Sequence, residues 1–193
     1  MVVLSKELKA TESYLEDQEL IEKLAREDTR NFAFNQLVRK YQERIYWHVR
    51  KMVLDHDDSD DVVQEVFIKV WKNLHSFRQD AQLFTWIYRI ATNECLNFLK
   101  KKKRVSIMSL TDYQDILVSK LDMSVQMDGD AIEIKLQKAL LTLPDKQRLV
   151  FNMKYFDDMK YDEIAEITGT SVGGLKASYH HAVKKIEEFI NLD

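Results

Sequence analysis

The 193-residue chain has a formal charge of -3, with 45% apolar and 32% charged residues. That balance describes a soluble globular protein large enough for one ordinary domain or two small ones. Four glycines and one proline are too few for the turns of a β-sandwich or barrel, and a single cysteine, Cys95, excludes an internal disulfide.

In chain order, the N-terminus does not resemble a signal peptide. No apolar run approaches the length of a membrane span, so a cytoplasmic location without membrane insertion is expected. Leu20, Ile21 and Leu24 space a short first helix. Phe32, Leu37, Val38, Tyr41, Ile45 and Val49 predict a second, ending near Leu54. An acidic turn follows: five of the seven residues from Asp55 to Asp61 are aspartate. Ser59 or Asp60 suits the N-cap of a third helix containing Val62, Val63, Val66, Phe67, Val70 and Trp71. The polar "HSFRQDAQ" breaks the pattern before a fourth helix from Leu83 to about Arg104.

The stretch after Arg104, "SIMSLTDYQDILVSKLDMSVQMDGD", has no sustained period and many Ser and Asp residues. Residues 105–130 read as a flexible linker. Helical spacing returns at Ala131 with the stripe Leu136, Leu140 and Leu143. Pro144 suits the first turn of the next helix, carrying Leu149, Val150, Met153 and Tyr155. The expected architecture is all-α: one helical domain over 14–104, the linker, and a second over 131–193.

The small net charge conceals segregation. From Trp86 to Arg104 there are six cationic residues and one acid, Glu94. On a helical wheel, Phe84, Ile87, Tyr88, Ala91, Cys95 and Phe98 share one side. Trp86, Arg89, Asn93, Asn97 and Lys100 share another, with Lys101 continuing the charge. Cations neutralise phosphate, asparagine holds base edges and an exposed aromatic stacks on a base, so this stripe suits nucleic acid. Trp86 is equally suited to a place in the core. The lysines alone would also suit a solvated helix end.

"DEIAEITGTSVGGLKASYHHAVKK" has the pattern of a helix-turn-helix. Ile164 and Ile167 face inward and Ala165 permits close approach. Gly169 can end the first helix in the left-handed conformation, and Ser171 can cap the second. On that second helix Leu175, Ala182, Ile186 and Phe189 cluster inward. Gly173, Lys176, Ala177, His180 and Lys184 cluster outward, and no carboxylate occurs from Ser171 to Ile186. A positive face with small residues near its N-terminus suits entry into a DNA major groove.

Other chemistries fit poorly. Read as a calcium loop from Asp55, the stretch has Asp60 where glycine is required and Val66 where glutamate is required. Adjacent His180 and His181 point about 100° apart on a helix and do not converge on one metal. There is no phosphate-binding Gly-Lys loop and no nucleophile–base arrangement. No enzyme, metal, cofactor or small-molecule substrate is expected. Asp61, Gln64 and Glu65 form an acidic and amide face one turn long, which is also what a solvated helix start favours.

Together, "DDVVQEVFIKVWKNLHSFRQDAQLFTWIYRIATNECLNFLKKKKR" and "LQKALLTLPDKQRLVFNMKYFDDMKYDEIAEITGTSVGGLKASYHHAVKKIEEF" resemble regions two and four of bacterial RNA polymerase sigma factors of the extracytoplasmic-function (ECF) group. The resemblance implies a dissociable subunit that binds core RNA polymerase, recognises promoter DNA and promotes strand opening. It implies that Asp61, Gln64 and Glu65 dock on the β′ coiled coil. Phe84, Trp86, Arg89 and Asn93, with the loop Ser76 to Gln82, would hold the minus-ten element, with Asn97, Lys100 and Lys101 extending that surface. Ser171, Gly173, Lys176, Ala177, His180 and Lys184 would read the minus-thirty-five element. It further implies contact with the β flap and an anti-sigma factor as partner. Ser178 and His181 stand where arginine is common in the family. Gly174 stands where threonine is common, which predicts a looser helix start.

Three rivals make distinct predictions. A stand-alone helix-turn-helix regulator would bind duplex without polymerase. A helical adaptor would bind no DNA, and a metal-dependent nuclease would lose cleavage when the aspartates are changed.

Overall fold

A computed structural model of the chain describes residues 16–77, 82–105 and 131–191. Among these, every regular element is helical. The N-terminal half comprises α1 (16–25), α2 (Arg30–Val53), α3 (His56–Asn73), a 3-10 turn (Leu74–Ser76) and α4 (Leu83–Val105). The C-terminal half comprises α5 (Ala131–Leu141), α6 (Asp145–Phe151) running into a π-helical turn (Asn152–Phe156), α7 (Tyr161–Thr168) and α8 (Val172–Asn191). The expected loop 76–82 and linker 105–130 fall largely outside the described residues.

The long helix α2 buries Ala33, Leu37, Tyr41, Ile45, Val49 and Met52 along one line. Phe32 was expected on that line but is 63% exposed, because it sits one residue, about 100°, away from Ala33. The helix stops at Leu54, whose N–H still reaches the Arg50 carbonyl and whose φ of 68° then turns the chain out of the helix. The helices α2, α3 and α4 pack on one another around Val66, Val70, Ile87, Ala91, Cys95 and Leu99. Burial pushes the Cys95 thiol pKa up to about 12, consistent with an inert apolar role. Tyr41 donates to Asp17 at 2.5 Å and Lys40 reaches the same carboxylate at 2.8 Å, tying α1 to α2.

The acidic stretch is not a turn. Helix α3 begins at His56 with Asp55 as N-cap, its carboxylate accepting from the Asp58 N–H at 3.2 Å. Neither Ser59 nor Asp60 is the cap: Ser59 is buried one turn inside. Carboxylates in a first turn are favoured by the helix dipole, so the aspartates fit a helix start without any bound ion. Pro144 likewise stands just before α6, with its carbonyl accepting from Gln147 and Arg148, rather than inside the first turn.

In the C-terminal half, Ala139, Leu140, Leu143, Phe151, Ala182 and Ile186 form one local cluster. The Phe151 ring stacks on Tyr179 at 5.7 Å, and Tyr161 meets Tyr179 edge-on. Tyr155, expected inside, is 58% exposed because the π turn rotates it outward. The main core does not respect the halves. Leu149, Val150, Met153, Met159, Ile164, Ile167 and Leu175 belong to the same continuous cluster as the core of α2, α3 and α4.

Candidate nucleic-acid interfaces

The helix-turn-helix is built locally. Glu163 accepts from the Lys160 N–H at 2.7 Å, opening α7. Gly169, with φ of 68°, closes it by donating to the Ala165 carbonyl at 2.9 Å. An L side chain in that conformation is strained, so glycine is the residue the turn needs. The Ser171 hydroxyl accepts from the Gly174 N–H at 3.3 Å at the start of α8. A Cβ added at 174 would lie 3.3 Å from both Ser171 Oγ and the Thr170 methyl group. Leu175, Ala182 and Ile186 are buried. Ser171, Gly173, Lys176, Ala177, His180 and Lys184 are all exposed on the opposite side. Lys184 lies 3.8 Å from Glu188, an exposed pair of little energetic weight. The His180 and His181 rings are 6.0 Å apart and tilted by 54°.

The α4 stripe is less uniform. Asn93, Asn97, Lys100 and Lys101 are exposed. Lys102 is paired with Asp58 and Lys103 with Asp145 at 2.6 Å, so the basic run does have carboxylate partners, brought in from α3 and α6. Trp86 is half-buried with its ring 5.2 Å from Phe77. Phe84 is half-buried in an aromatic chain with Tyr41 and Tyr88, and the Arg44 guanidinium lies 3.9 Å from its ring centre. Arg89 is also half-buried and is turned towards the C-terminal half.

On α3, Asp61, Gln64 and Glu65 are exposed together. Asp61 and Glu65 share an open groove of about 240 Å³ with Glu94, Asn97, Phe98 and Lys101 of α4. Lys69 bridges the helices below it, 2.6 Å from Glu94 and 3.9 Å from Glu65. The acidic and the amide-cation surfaces therefore meet along one seam.

A second constellation gave no sequence signal. Asp157, just after the π turn, accepts from Lys51 of α2 at 2.5 Å and from the Tyr88 hydroxyl of α4, and lies 3.7 Å from His48 Nδ1. Burial alone would raise the Asp157 carboxyl, but the facing His48, Lys51 and Tyr88 outweigh it and hold the pKa at about 2. Burial pulls His48 below the ordinary imidazole value against the attraction of Asp157, and its Nε2 lies 3.1 Å from the Thr92 hydroxyl. Only the tertiary structure brings these four side chains together, from positions up to 109 residues apart in sequence (48 to 157).

Among the described residues every element is helical, with a helix-turn-helix at one end and an amide-cation helix beside an acidic face at the other. The Sigma-70 region 2 family model matches residues 37–105, and the Sigma-70 region 4 model matches residues 133–186. The ECF RNA polymerase sigma factor SigW of Bacillus subtilis is 32% identical over 77% of this chain and 83% of its own length. The RNA polymerase sigma-H factor of Pseudomonas aeruginosa is 31% identical over 90% of this chain and 93% of its own. For the ECF RNA polymerase sigma-E factor of Escherichia coli the values are 30%, 90% and 93%. Among solved structures, CnrH in complex with the cytosolic domain of CnrY matches the fold with a TM-score of 0.66 at 21% identity, over 92% of this chain and 98% of that one. The chain belongs to the ECF RNA polymerase sigma factors and is a promoter-recognising subunit of RNA polymerase. No helix among the described residues is long and apolar enough to cross a membrane.

Proposed function

We propose that the two halves act as separate DNA readers on one polymerase-bound subunit. Domain 14–104 docks on the β′ coiled coil through Asp61, Gln64 and Glu65. It holds the opened minus-ten element with Trp86, Arg89, Asn93, Asn97, Lys100 and Lys101, with Phe84 as part of the floor beneath them. Domain 131–193 sits on the β flap and reads the minus-thirty-five element with Ser171, Gly173, Lys176, Ala177, His180 and Lys184. The observation that carries this reading is the exposure of both positive faces on different helices, with the acidic face of α3 beside one of them.

Promoter opening is then a binding problem without bond chemistry, carried out in the cytoplasm. Unstacking a base costs about a few kcal/mol, and stacking plus backbone contacts returns about 1–3 kcal/mol per base. An anti-sigma factor is the expected inhibitor, since CnrH was solved with CnrY and the sigma factor RpoE of Bartonella quintana with the anti-sigma factor NepR.

The test is transcription by core polymerase on genomic DNA with the protein added. Promoter-specific transcripts, and co-elution with core, are expected; absence of both sinks the reading. Asn93→Ala separates the faces: it should lower open-complex formation while leaving core binding intact.

A further inference from the structure

Helix α2 carries a cationic stripe of its own, outside the α4 face. Lys40, Arg44, Trp47 and Lys51 follow one another at steps of four, three and four residues, which places them within about 60° on one side of the helix. No carboxylate shares that stripe. Its two ends are tied down. Lys40 reaches Asp17 at 2.8 Å and Glu16 at 3.0 Å, and Lys51 reaches Asp157 at 2.5 Å. Its middle is open. Arg44 is exposed and forms no ion pair among the described residues, and Trp47 is 53% exposed.

A lone exposed aromatic is ordinary on a protein surface. The position of this one is what gives it weight. The Arg44 guanidinium lies 3.9 Å from the centre of the Phe84 ring, a cation–π contact that joins α2 to the first turn of α4. Phe84 is the floor of the surface proposed to hold the minus-ten element. Arg44 therefore carries that floor onto α2, and Trp47 stands about one turn, or about 5.4 Å, further along. Tyr46 braces the indole at an angle of 76° with ring centres 5.4 Å apart, and its hydroxyl is hydrogen-bonded to His56 Nδ1 at 2.8 Å. An unpaired guanidinium beside an exposed indole suits single-stranded nucleic acid, the cation taking a phosphate and the ring a base. A protein surface could meet the same pair, but contact with Phe84 places the pair beside the proposed DNA floor.

We infer that α2 supplies a second bank of the strand-holding surface, with Arg44 on a phosphate and Trp47 stacked on a base of the non-template strand that α4 holds. The inference rests on the proposed assignment of Phe84 and the α4 stripe to minus-ten DNA. It makes the opened strand a ligand of two helices, gripped on both sides of Phe84.

Two measurements on holoenzyme test this, on a promoter recovered from the genomic transcription experiment and pre-melted across the minus-ten element. In the first, p-benzoylphenylalanine replaces Trp47 in one protein and Asn93 in another, and each complex is irradiated. Both positions should cross-link to the non-template strand. No link from position 47 to that strand, or a link from it to a polymerase subunit instead, overturns the second bank. Position 93 reports separately on the α4 assignment, so the two failures are distinguishable. The second measurement is open-complex lifetime under competitor challenge. Trp47→Ala should shorten it about tenfold with core binding unchanged, and Trp47→Phe should restore most of it. Arg44→Ala should lower the salt slope of binding by about 1. An unchanged lifetime in Trp47→Ala overturns the inference; because the side chain is exposed, the change leaves the core intact.

Discussion

The two positive faces differ in what holds them. The outer face of α8 is complete within 30 residues: a glycine turn, a serine cap and a buried apolar line set it, and every predicted contact residue is exposed. The face of α4 is shared property. Its exposed asparagines and lysines continue into Arg89, which the other half occupies, and into Lys102 and Lys103, which are paired with carboxylates of α3 and α6. A local motif presents its surface as soon as it folds. A surface on a long helix between two halves depends on how those halves stand.

Four experiments probe that difference, from the largest effect to the smallest. Leu175→Ala removes a fully buried side chain from the junction of α8 with the shared core. It should cost about 2–5 kcal/mol in chemical denaturation and broaden into both halves. Loss confined to the C-terminal half would show that the cores are energetically separate.

Acid should weaken the junction between the halves in a defined order. His48 is buried and its imidazole is held below the ordinary value of 6.5, so as pH falls through that value the unfolded chain takes up a proton before the folded one does. Stability should decline there by up to about 1.4 kcal/mol per pH unit, and His48→Gln should flatten the decline. Asp157, Lys51 and Tyr88 are the charged or titratable groups facing that ring. The Asp157 contribution is fully present above its ordinary value of 3.8 and is lost only as pH falls towards about 2. Melting temperatures against pH for the two proteins check the order; equal slopes down to pH 5 would contradict it.

Gly169→Ala should cost about 1 kcal/mol, from the strained left-handed backbone and not from crowding, because nothing lies within 4 Å of the added Cβ. The loss should appear in thermal unfolding, and a steric explanation would predict a larger one. Lys184→Ala should leave stability within about 0.5 kcal/mol. It should reduce the salt slope of minus-thirty-five duplex binding, measured on holoenzyme, by about 1.

Much of the fold was legible because apolar spacing at the helical period is a local property. The stripes from Leu37 to Val49 and from Leu140 to Leu143 needed no knowledge of neighbours. Errors arose where one residue of rotation or a cap decides the outcome. Phe32 lies just off its line, Ser59 lies one turn inside a helix that Asp55 begins, and the π turn rotates Tyr155 outward. The helix-turn-helix face was legible for the same local reasons.

By itself, the sequence determined the helical class, the segregation of charge into an acidic α3 and basic α4 and α8, and the glycine and serine that shape the final turn. These follow from side-chain chemistry within a few residues. Only the tertiary structure decided that the halves share one core, that Arg148 and Asn152 cap α2, and that Asp157 draws Lys51, Tyr88 and His48 around it. Such contacts join groups distant in sequence. They form because backbone carbonyls and a buried carboxylate need partners that no neighbouring residue supplies.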